Sequence, residues 1–463
     1  MIDWNTISPL TSLTHLDGRN ASKLSSLKPY FSEFAWMKER LRVMIGYAIA
    51  LASSHGVTLT LSRQRQCKSL HASFSLRDAQ EVVTIERTVN HDVKALELYL
   101  ISRLKRRGLL RLIPYINLGI GSEDINSMAF VLLMVGSRDD VMIPAIRKMA
   151  KQLIELAFTH RATAMVARTH AQPANITTFG KEIANTLSRL CDEMELFQSM
   201  KFQAKCSGEA GTYQAFMGMD QSFDAMDYCN RFIRTLGLIP SPVSTQIAPY
   251  DSPVRFLQSL YRINIILLDL CKNMWLYVLL GYLNVRTIES EVGSAGMPHK
   301  VNPIYFEGAE GGLEMANGTI ELFVRKLPVN RLQRDFSDST MRRNIVLPIA
   351  YSLLSYQSIV EALNRIEVDT DAIENDLVRH AEVWTETVKT YGTTHGIVDM
   401  YDRLKKATRG KILSQKDLQM FIATLPLNEK EQQELRSLCD GKHNPYPGKI
   451  VEDVVKRARN VFL

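Results

Sequence analysis

The chain has 463 residues, of which 46% are apolar and 23% charged, a composition typical of globular rather than disordered proteins. Its formal net charge of +7 comes without runs of basic residues, which argues against a nucleic-acid-binding protein and favours anionic small molecules at most. The first residues, MIDWNTISPL, lack the basic segment and apolar run of a signal peptide, and charged residues interrupt the most apolar stretch, 263–283. We therefore expect a cytoplasmic protein.

Helical periodicity dominates the chain, and the one β-like run is Val57–Leu61. Shorter helices are predicted before residue 112 and after residue 367. Between them the apolar spacing predicts five long helices, at residues 140–165, 179–203, 253–283, 303–325 and 345–366. The predicted fold is therefore all-α, with an N-terminal domain at 1–112, a central long-helix bundle at 113–366 and a C-terminal domain at 367–463. Apolar faces on several sides of these helices predict association with further copies of the chain.

Two polar segments interrupt the helical pattern in the first third of the chain. In ERTVNHDVK, residues 86–94, five of nine side chains carry or exchange a charge, which is typical of either a solvated helix start or a binding site. In GIGSEDIN, residues 119–126, Ser122 precedes an apolar run, as a helix N-cap does. A helix N-terminus after small residues also holds carboxylates and phosphates, so capping and binding both remain open there.

Two later segments combine turn residues with side chains suited to catalysis. RTHAQP, residues 168–173, places a histidine between arginine, threonine and glutamine. GSAGMPHKVNP, residues 293–303, has two glycines and two prolines, as expected of a loop whose backbone approaches a ligand. Its Lys300 and Asn302 are a cation and an amide suited to a carboxylate. A structural histidine and an ordinary mobile surface loop are the alternatives.

A fifth segment, QRDFSDSTMRR at residues 333–343, combines Arg334, Arg343 and hydroxyl groups. Guanidinium groups beside hydroxyls are typical of phosphate sites, and the alternative is a surface helix start. The five segments lie far apart along the chain, so a shared site requires the fold to bring them together.

Together these segments resemble the signatures of the fumarase/aspartase superfamily. The loop at 293–303 is similar to the superfamily pattern GSSxMPxKxNP at all fixed positions but one. Within the superfamily the chain resembles the bacterial adenylosuccinate lyases, through TIERTVNHDVKALE, GSEDIN, RTHAQP, FGKEIAN, TQIAPYD, RLQRDFSDST and the RRN that follows. DGR near the start and ATRGK also fit, so the resemblance spans about residues 17 to 411.

The resemblance implies a three-domain, all-α fold with a central five-helix bundle. It also implies a homotetramer whose active sites are shared between three subunits. The implied reaction is a β-elimination in which a base removes a proton next to a carboxylate, an acid protonates the departing nitrogen and fumarate leaves. Adenylosuccinate would give AMP, and SAICAR would give AICAR, in purine biosynthesis. The implied partner is a small-molecule substrate, with no metal, cofactor, nucleic acid or membrane.

The resemblance also assigns roles to individual residues. His170 is the general acid, His91 and Ser294 are further catalytic candidates, and Lys300 and Asn302 grip the succinyl carboxylate. The substrate-binding candidates are Arg19, Asn90, His91, Asp92, Ser122, Glu123, Thr169, Gln246, Lys300, Asn302, Arg334, Ser339 and Arg343. Four of these are assigned to the nucleotide phosphate: Arg19, Arg334, Ser339 and Arg343.

The chain departs from the family pattern within these same segments. The family base is the second serine of GSS, and this chain has Ala295 there, with Ser294 adjacent as a substitute. Family His, Thr, Tyr and Gly positions are occupied by Asn117, Gly121, Asn20 and Ala171. Three functions therefore remain open: an adenylosuccinate lyase, a diverged lyase that eliminates or adds fumarate on another amine or thiol, and a catalytically impaired tetrameric binding or regulatory relative.

Overall fold

The computed structural model describes residues 8–219, 222–293, 296–439 and 444–463. The chain divides into two compact units, and each takes three stretches of sequence. Unit 1 comprises Met1–Pro144, Leu196–Arg262 and Met315–Leu354, and unit 2 comprises Ala145–Glu195, Ile263–Glu314 and Ser355–Leu463. The sequence-predicted domains divide the chain at other positions, at residues 112 and 366, and they stay a prediction.

Helices account for most of the described chain. In chain order they are α1 (Lys28–Phe31), α2 (Glu33–Ser54), α3 (Leu61–Ala72), α4 (Leu76–Val89), α5 (Asp92–Arg106), α6 (Ser122–Ser137), α7 (Ile143–Thr159), α8 (Phe179–Ser199), α9 (Ala225–Thr235), α10 (Asp251–Leu279), α11 (Ile304–Lys326), α12 (Ser337–Arg343), α13 (Val346–Asn364), α14 (Thr370–Arg379), α15 (Thr385–Thr394), α16 (Met400–Thr408), α17 (Gln415–Ala423), α18 (Glu429–Leu438) and α19 (Tyr446–Phe462). The all-α prediction is confirmed.

The five predicted long helices are present as α7, α8, α10, α11 and α13, with ends that differ by a few residues from the predicted ones. The largest difference is at α7, which follows a π-helical turn at Arg138–Met142 and already ends at Thr159. Side-chain caps fix several helix starts: Ser32 accepts the Ala35 N–H at α2, and Ser75 and Asp78 form a reciprocal capping box at α4.

The strands are short and pair in twos. They are β1 (Ala164–Thr169), β2 (Gln172–Thr178), β3 (Gln203–Ala204), β4 (Ile239–Pro240), β5 (Leu283–Val285) and β6 (Ile366–Val368). β1 pairs with β2 and β5 with β6 in antiparallel order, while β3 and β4 are parallel. The β-like reading of Val57–Leu61 is wrong: Leu61 begins α3, because the Thr60 side chain accepts the Arg63 N–H and caps that helix.

The core of unit 1 includes α6, which packs against α2. Residues 123–131 of α6 are all buried, including the charged Glu123 and Asp124. Buried charges require partners, so the start of α6 is the point where polar groups from other elements converge. The geometry of the candidate site follows from this requirement.

Unit 2 contains a separate apolar cluster near the C-terminus. Its buried members are Ala381, Val388, Ile397, Met400, Leu404, Leu413, Leu418, Ile422, Leu425, Leu427, Leu435 and Cys439. In the described chain, the stretch Ser337–Asn364 is long and apolar enough to cross a membrane by length and composition, and 61% of its most apolar window is buried within the protein. Core helices of soluble proteins share these properties, so this stretch is weak evidence for a membrane span.

Candidate functional site

Unit 1 contains a cavity of about 230 Å³ lined mainly by polar side chains, which we call the arginine cavity. Its walls come from α2, the α4–α5 turn, the start of α6 and residues 334–343. The lining residues are Trp36, Arg40, Glu86, Asn90, His91, Asp92, Ser122, Glu123, Asn126, Arg334, Phe336, Ser339, Arg342 and Arg343. Four guanidinium groups face three carboxylates, so the cavity has an excess of positive charge suited to an anionic ligand.

The turn between α4 and α5 supplies one wall. Asn90 ends α4 in the left-handed conformation, at φ 50°, which asparagine tolerates better than most residues. His91 caps α5, because its Nδ1 accepts the Lys94 N–H at 3.2 Å. Nδ1 is therefore unprotonated, and Nε2 of this half-exposed side chain is the ring nitrogen left to donate a proton or a hydrogen bond.

Asp92 links the turn to two arginines. Its Oδ2 lies 3.0 Å from Arg40 Nη1 and 3.4 Å from Arg343 Nη2. Burial opposes the ionisation of Asp92, but the two guanidinium groups and the Val93 N–H outweigh burial and hold its pKa below the ordinary value. Asp92 is therefore an anion whose charge is already shared between two cationic cavity residues.

Glu123 is the central carboxylate of the cavity. Arg342 Nη1 donates to its Oε2 at 2.9 Å, while Arg334 Nη2 and Asn126 Nδ2 lie 3.1 and 2.7 Å from its Oε1. Burial raises the pKa of Glu123, but the charge and hydrogen bonds of Arg342, with Arg334 and Asn126, lower it more, so the pKa lies below its usual range. Glu123 thus holds two arginines in fixed positions.

Aromatic rings hold three of the guanidinium groups. The Arg40 and Arg342 guanidiniums lie 5.0 and 5.7 Å from the Trp36 ring centroid, and Arg334 lies 5.4 Å from that of Phe336. Within the described chain, Arg40 Nε and Asn126 Oδ1 are buried without a hydrogen-bond partner. A buried donor and a buried acceptor left unpaired in a polar cavity indicate a ligand or ordered water.

The N-terminus of α6 differs from its prediction. Ser122 is the first residue of the helix, and Gly121 occupies the N-cap position, so the prediction of Ser122 as the cap is wrong. The reason is Asp124, which accepts the Gly121 N–H at 2.7 Å from within the first turn. This is the contact that the third helical residue makes to the N-cap backbone in a capping box, and the Ser122 side chain is left to line the cavity.

Asp124 also belongs to a buried ion pair. Lys205 Nζ lies 2.9 Å from Asp124 Oδ1 and donates to the carbonyl oxygens of Gly208 and Gln246 at 2.7 and 2.9 Å. The Ser207 and Gly208 N–H groups donate to the same carboxylate at 2.8 and 3.1 Å. The pair therefore ties the start of α6 to the loops that carry residues 205–211 and Gln246.

Eight of the predicted site residues line the arginine cavity: Asn90, His91, Asp92, Ser122, Glu123, Arg334, Ser339 and Arg343. Gln246 joins this group through a hydrogen bond, because its Oε1 accepts from Arg334 Nη1 at 3.4 Å. Arg19 is exposed in unit 1 and is not among the cavity residues. The other described candidates belong to unit 2.

In unit 2, Thr169 and His170 lie at the tip of the β1–β2 hairpin. Thr169 pairs with Gln172, so His170 and Ala171 form a two-residue turn, at φ 52° and 62°. Both side chains are exposed. The preceding Arg168 is anchored: it donates to Asp376 of α14 and to the Tyr282 hydroxyl, both at 2.7 Å, and that hydroxyl also bonds Asp376.

Lys300 and Asn302 belong to the glycine- and proline-containing loop of unit 2. The Asn302 amide donates to the Gly293 carbonyl at 3.4 Å, and a Cβ on Gly293 would lie 2.3 Å from the Lys300 carbonyl oxygen. Only glycine therefore permits this close approach at position 293. The Lys300 side chain is exposed. Ser294, predicted as catalytic, and Ala295 lie outside the described residues.

Six cavity residues were not among the predicted site residues: Trp36, Arg40, Glu86, Asn126, Phe336 and Arg342. Arg40 had a usable signal, because it is a charged residue at helical spacing from Trp36 and Met44 on a face of α2 that is otherwise apolar and buried. Arg342 lies inside the segment considered as a phosphate site, one residue before Arg343. Nothing local distinguishes Trp36 or Asn126 from ordinary core residues.

Comparisons with known proteins identify the family of the chain. A family model described as lyase matches residues 26–318, and one described as adenylosuccinate lyase C-terminal matches residues 330–443. Adenylosuccinate lyase of Haemophilus influenzae is 34% identical over 97% of this chain and 99% of its own length, and that of Escherichia coli K12 is 34% identical over 94% and 97%.

Solved structures extend the similarity to the fold. The 3-carboxy-cis,cis-muconate lactonizing enzyme of Pseudomonas putida has a TM-score of 0.75 at 19% identity, and covers 95% of this chain and 98% of its own. A fumarate lyase of Mesorhizobium sp. BNC1 has a TM-score of 0.74 at 19% identity, with 93% and 97% covered. The chain is a lyase that belongs to the adenylosuccinate lyase family of the fumarase/aspartase superfamily.

Proposed function

We propose that the protein cleaves a carbon–nitrogen bond by β-elimination and releases fumarate, converting adenylosuccinate to AMP and SAICAR to AICAR in purine biosynthesis. The observation that carries the proposal is the arginine cavity, in a chain whose adenylosuccinate lyase relatives match it over almost their whole length. A succinyl-nucleotide carries a phosphate and two carboxylates, and an excess of guanidinium groups with unpaired donors suits such a ligand.

In the proposed reaction, Arg334, Arg343 and Ser339 bind the phosphate, with Arg19. Asn90, His91, Asp92, Ser122, Glu123, Thr169 and Gln246 line the remainder of the site. Ser294, adjacent to the position of the family base, accepts the proton from the carbon next to a succinyl carboxylate. Lys300 and Asn302 bind that carboxylate and stabilise the charge that develops as the proton leaves. His170 donates a proton to the departing nitrogen as the carbon–nitrogen bond breaks. Its place at the tip of a hairpin, with an exposed ring, suits a proton donor that meets a bound substrate.

The proposed assembly is a cytoplasmic homotetramer in which each active site takes residues from three subunits. Exposed apolar side chains on two long helices support association, including Trp275 and Leu279 on α10 and Met315 and Leu322 on α11. Exposed apolar side chains of this size favour burial against another protein surface. Light scattering of the purified protein tests the subunit number: a monomer contradicts the proposal.

A turnover assay tests the reaction. The purified chain is mixed with adenylosuccinate, and fumarate release is followed together with the ultraviolet change. We expect turnover in the wild type, none in His170→Ala and strongly reduced turnover in Lys300→Ala. Asp227→Ala, which removes an exposed carboxylate of α9, serves as a control and should keep full activity. Turnover that survives in His170→Ala would contradict the role of that residue.

A second candidate is a diverged lyase that acts on another amine or thiol. It is favoured by Ala295, which stands where the resemblance places the base. If adenylosuccinate is not cleaved, the same protein is tested for addition of fumarate to a panel of amines and thiols. An Ala295→Ser variant that gains adenylosuccinate cleavage would show that the loss of this one hydroxyl limits the reaction. A protein inactive in both assays that still binds AMP would indicate the third possibility, a binding or regulatory relative.

A further inference from the structure

Glu209 and Gly121 share one small space beside the arginine cavity. A Cβ built on Gly121 would lie 2.1 Å from Glu209 Oε1 and 2.4 Å from its Cδ. The φ of Gly121 is −104°, which any residue adopts, so a side chain at this position would meet no backbone strain and would only have to displace the end of the Glu209 side chain. The carboxylate of Glu209 therefore stands where any other side chain at position 121 would begin.

One oxygen of this carboxylate accepts a hydrogen bond from an amide. Gln246 Nε2 donates to Glu209 Oε2 at 2.7 Å, and Gln246 Oε1 faces Arg334 of the cavity. Only this amide orientation satisfies both neighbours, so the donor side of Gln246 is committed to Glu209. The Asp124 N–H donates to the Gly121 carbonyl at 3.2 Å, and the start of α6 as a whole is the positive end of the helix dipole, which favours a negative charge.

The surrounding backbone is fixed. Lys205 Nζ binds the Gly208 and Gln246 carbonyls, so a single ammonium group holds the residue before Glu209 and the residue whose amide binds it. The Glu209 side chain itself is exposed, and in the described chain its Oε1 has no hydrogen-bond or ion-pair partner. The binding groups are therefore rigid, while the carboxylate that occupies them is attached by a flexible side chain.

The cavity beside it provides independent evidence for an anionic ligand. Arg40 is 4% exposed and its Nε has no partner in the described chain. Ser122, adjacent to Gly121, and Arg334, which bonds Gln246, are both cavity residues. Glu209 therefore lies at the margin of a site for anions and adds a negative charge to it.

We propose that Glu209 is a specificity-determining residue whose carboxylate occupies a carboxylate-binding subsite made by Gln246 and the start of α6. A carboxylate of the substrate, or of fumarate, has to displace Glu209 to bind there. The subsite therefore disfavours ligands that place a carboxylate next to Gly121. The choice of fumarate as the competing ligand rests on the proposed function.

Calorimetric titration of the full-length protein with fumarate, and separately with AMP, tests this inference. Glu209→Ala should lower the Kd for fumarate about tenfold, because it removes both the competing group and its charge. Gly121→Ala should not lower it, because the new methyl group takes the position beside Gln246 that the fumarate carboxylate would occupy. Asp227→Ala, the same loss of charge on exposed α9, should change neither Kd by more than about twofold.

An unchanged or raised fumarate Kd in Glu209→Ala overturns the inference, and so does the absence of fumarate binding in every variant. A parallel fall of the AMP Kd also overturns it, because the effect would then be general electrostatics. The turnover assay separates this result from the proposed function. A gain in fumarate affinity in Glu209→Ala, without adenylosuccinate cleavage, supports the subsite and contradicts the proposed substrate. Cleavage of adenylosuccinate without that gain supports the proposed substrate and contradicts the subsite.

Discussion

The arginine cavity of unit 1 and the hairpin tip of unit 2 hold their polar side chains by different means. In the cavity, buried arginines and carboxylates hold one another in place. Glu123, for example, contacts Arg334, Arg342 and Asn126. At the hairpin tip, His170 is exposed and lies two residues after the anchored Arg168. The side chains of the cavity, which are the proposed binding groups, are therefore positioned by burial. The proposed proton donor, His170, is positioned by backbone conformation. Three substitutions test how far this contrast holds.

The largest effect is expected in the cavity. Glu123→Gln removes the charge that neutralises two largely buried guanidiniums, and breaking a buried pair in this way costs about 3 kcal/mol. Urea unfolding at neutral pH measures the loss. Asp227→Asn breaks an exposed pair with Arg231 and should cost less than about 0.5 kcal/mol. Equal losses in the two variants would contradict the fixed character of the cavity.

The same variant has a distinct pH dependence. The folded-state pKa of Glu123 lies below its ordinary value of 4.5, so its ionisation stabilises the fold above that pH and the stabilisation is lost as the pH falls through the lowered pKa. The free energy of unfolding of the wild type should therefore fall more steeply below pH 4.5 than that of Glu123→Gln. Parallel pH profiles would show that the charge of Glu123 does not contribute.

A smaller effect is expected at the hairpin. Asp376→Asn weakens the anchor of Arg168, whose side chain is 20% exposed, and should cost about 1–2 kcal/mol of stability. If the anchor positions His170, kcat should fall about tenfold while KM changes little. Tyr282→Phe removes the hydroxyl that bonds both charged groups but leaves the Arg168–Asp376 ion pair, so it should give a smaller fall. A stability loss with unchanged kcat would limit the cluster to a structural role.

The smallest effect is a gain. Ala171 has φ 62°, a conformation that costs residues with a Cβ about 1 kcal/mol and glycine nothing. Ala171→Gly relieves this strain and adds freedom to the unfolded chain, so the expected net stabilisation is about 0.5 kcal/mol. Thermal unfolding measures it, with Ala174→Gly, on β2 of the same hairpin, as the control that should destabilise. A loss of stability in Ala171→Gly would show that this turn is not strained.

The long helices could be predicted from sequence because apolar spacing and capping residues are local signals. The β1–β2 hairpin could not, because its two left-handed residues are His170 and Ala171 rather than the asparagine or glycine that mark such turns. The family resemblance predicted most of the residues that line the cavity. It did not predict which of these side chains contact one another. The cap at Gly121 was missed because the competing carboxylate of Asp124 lies inside the helix.

Glu209 could not be found from sequence for a related reason. The position of its carboxylate depends on the absence of a Cβ at Gly121 and on the orientation of the Gln246 amide. Both residues lie far from Glu209 in the sequence. A glutamate in a loop carries no local sign of such a role. Position-specific chemistry of this kind becomes visible only when the distances between side chains are known.

The buried Lys205–Asp124 pair has a consequence for how this site changes over evolutionary time. Lys205 of this pair holds the backbone at Gly208 and Gln246. A replacement at position 209 therefore changes the charge and shape that a ligand meets without changing the conformation of the loop. Under the proposed role of Glu209, a single replacement at that position is expected to change ligand preference while the loop keeps its fold. A loop held only by its own turns would lack this separation between the group that holds the backbone and the group that meets the ligand.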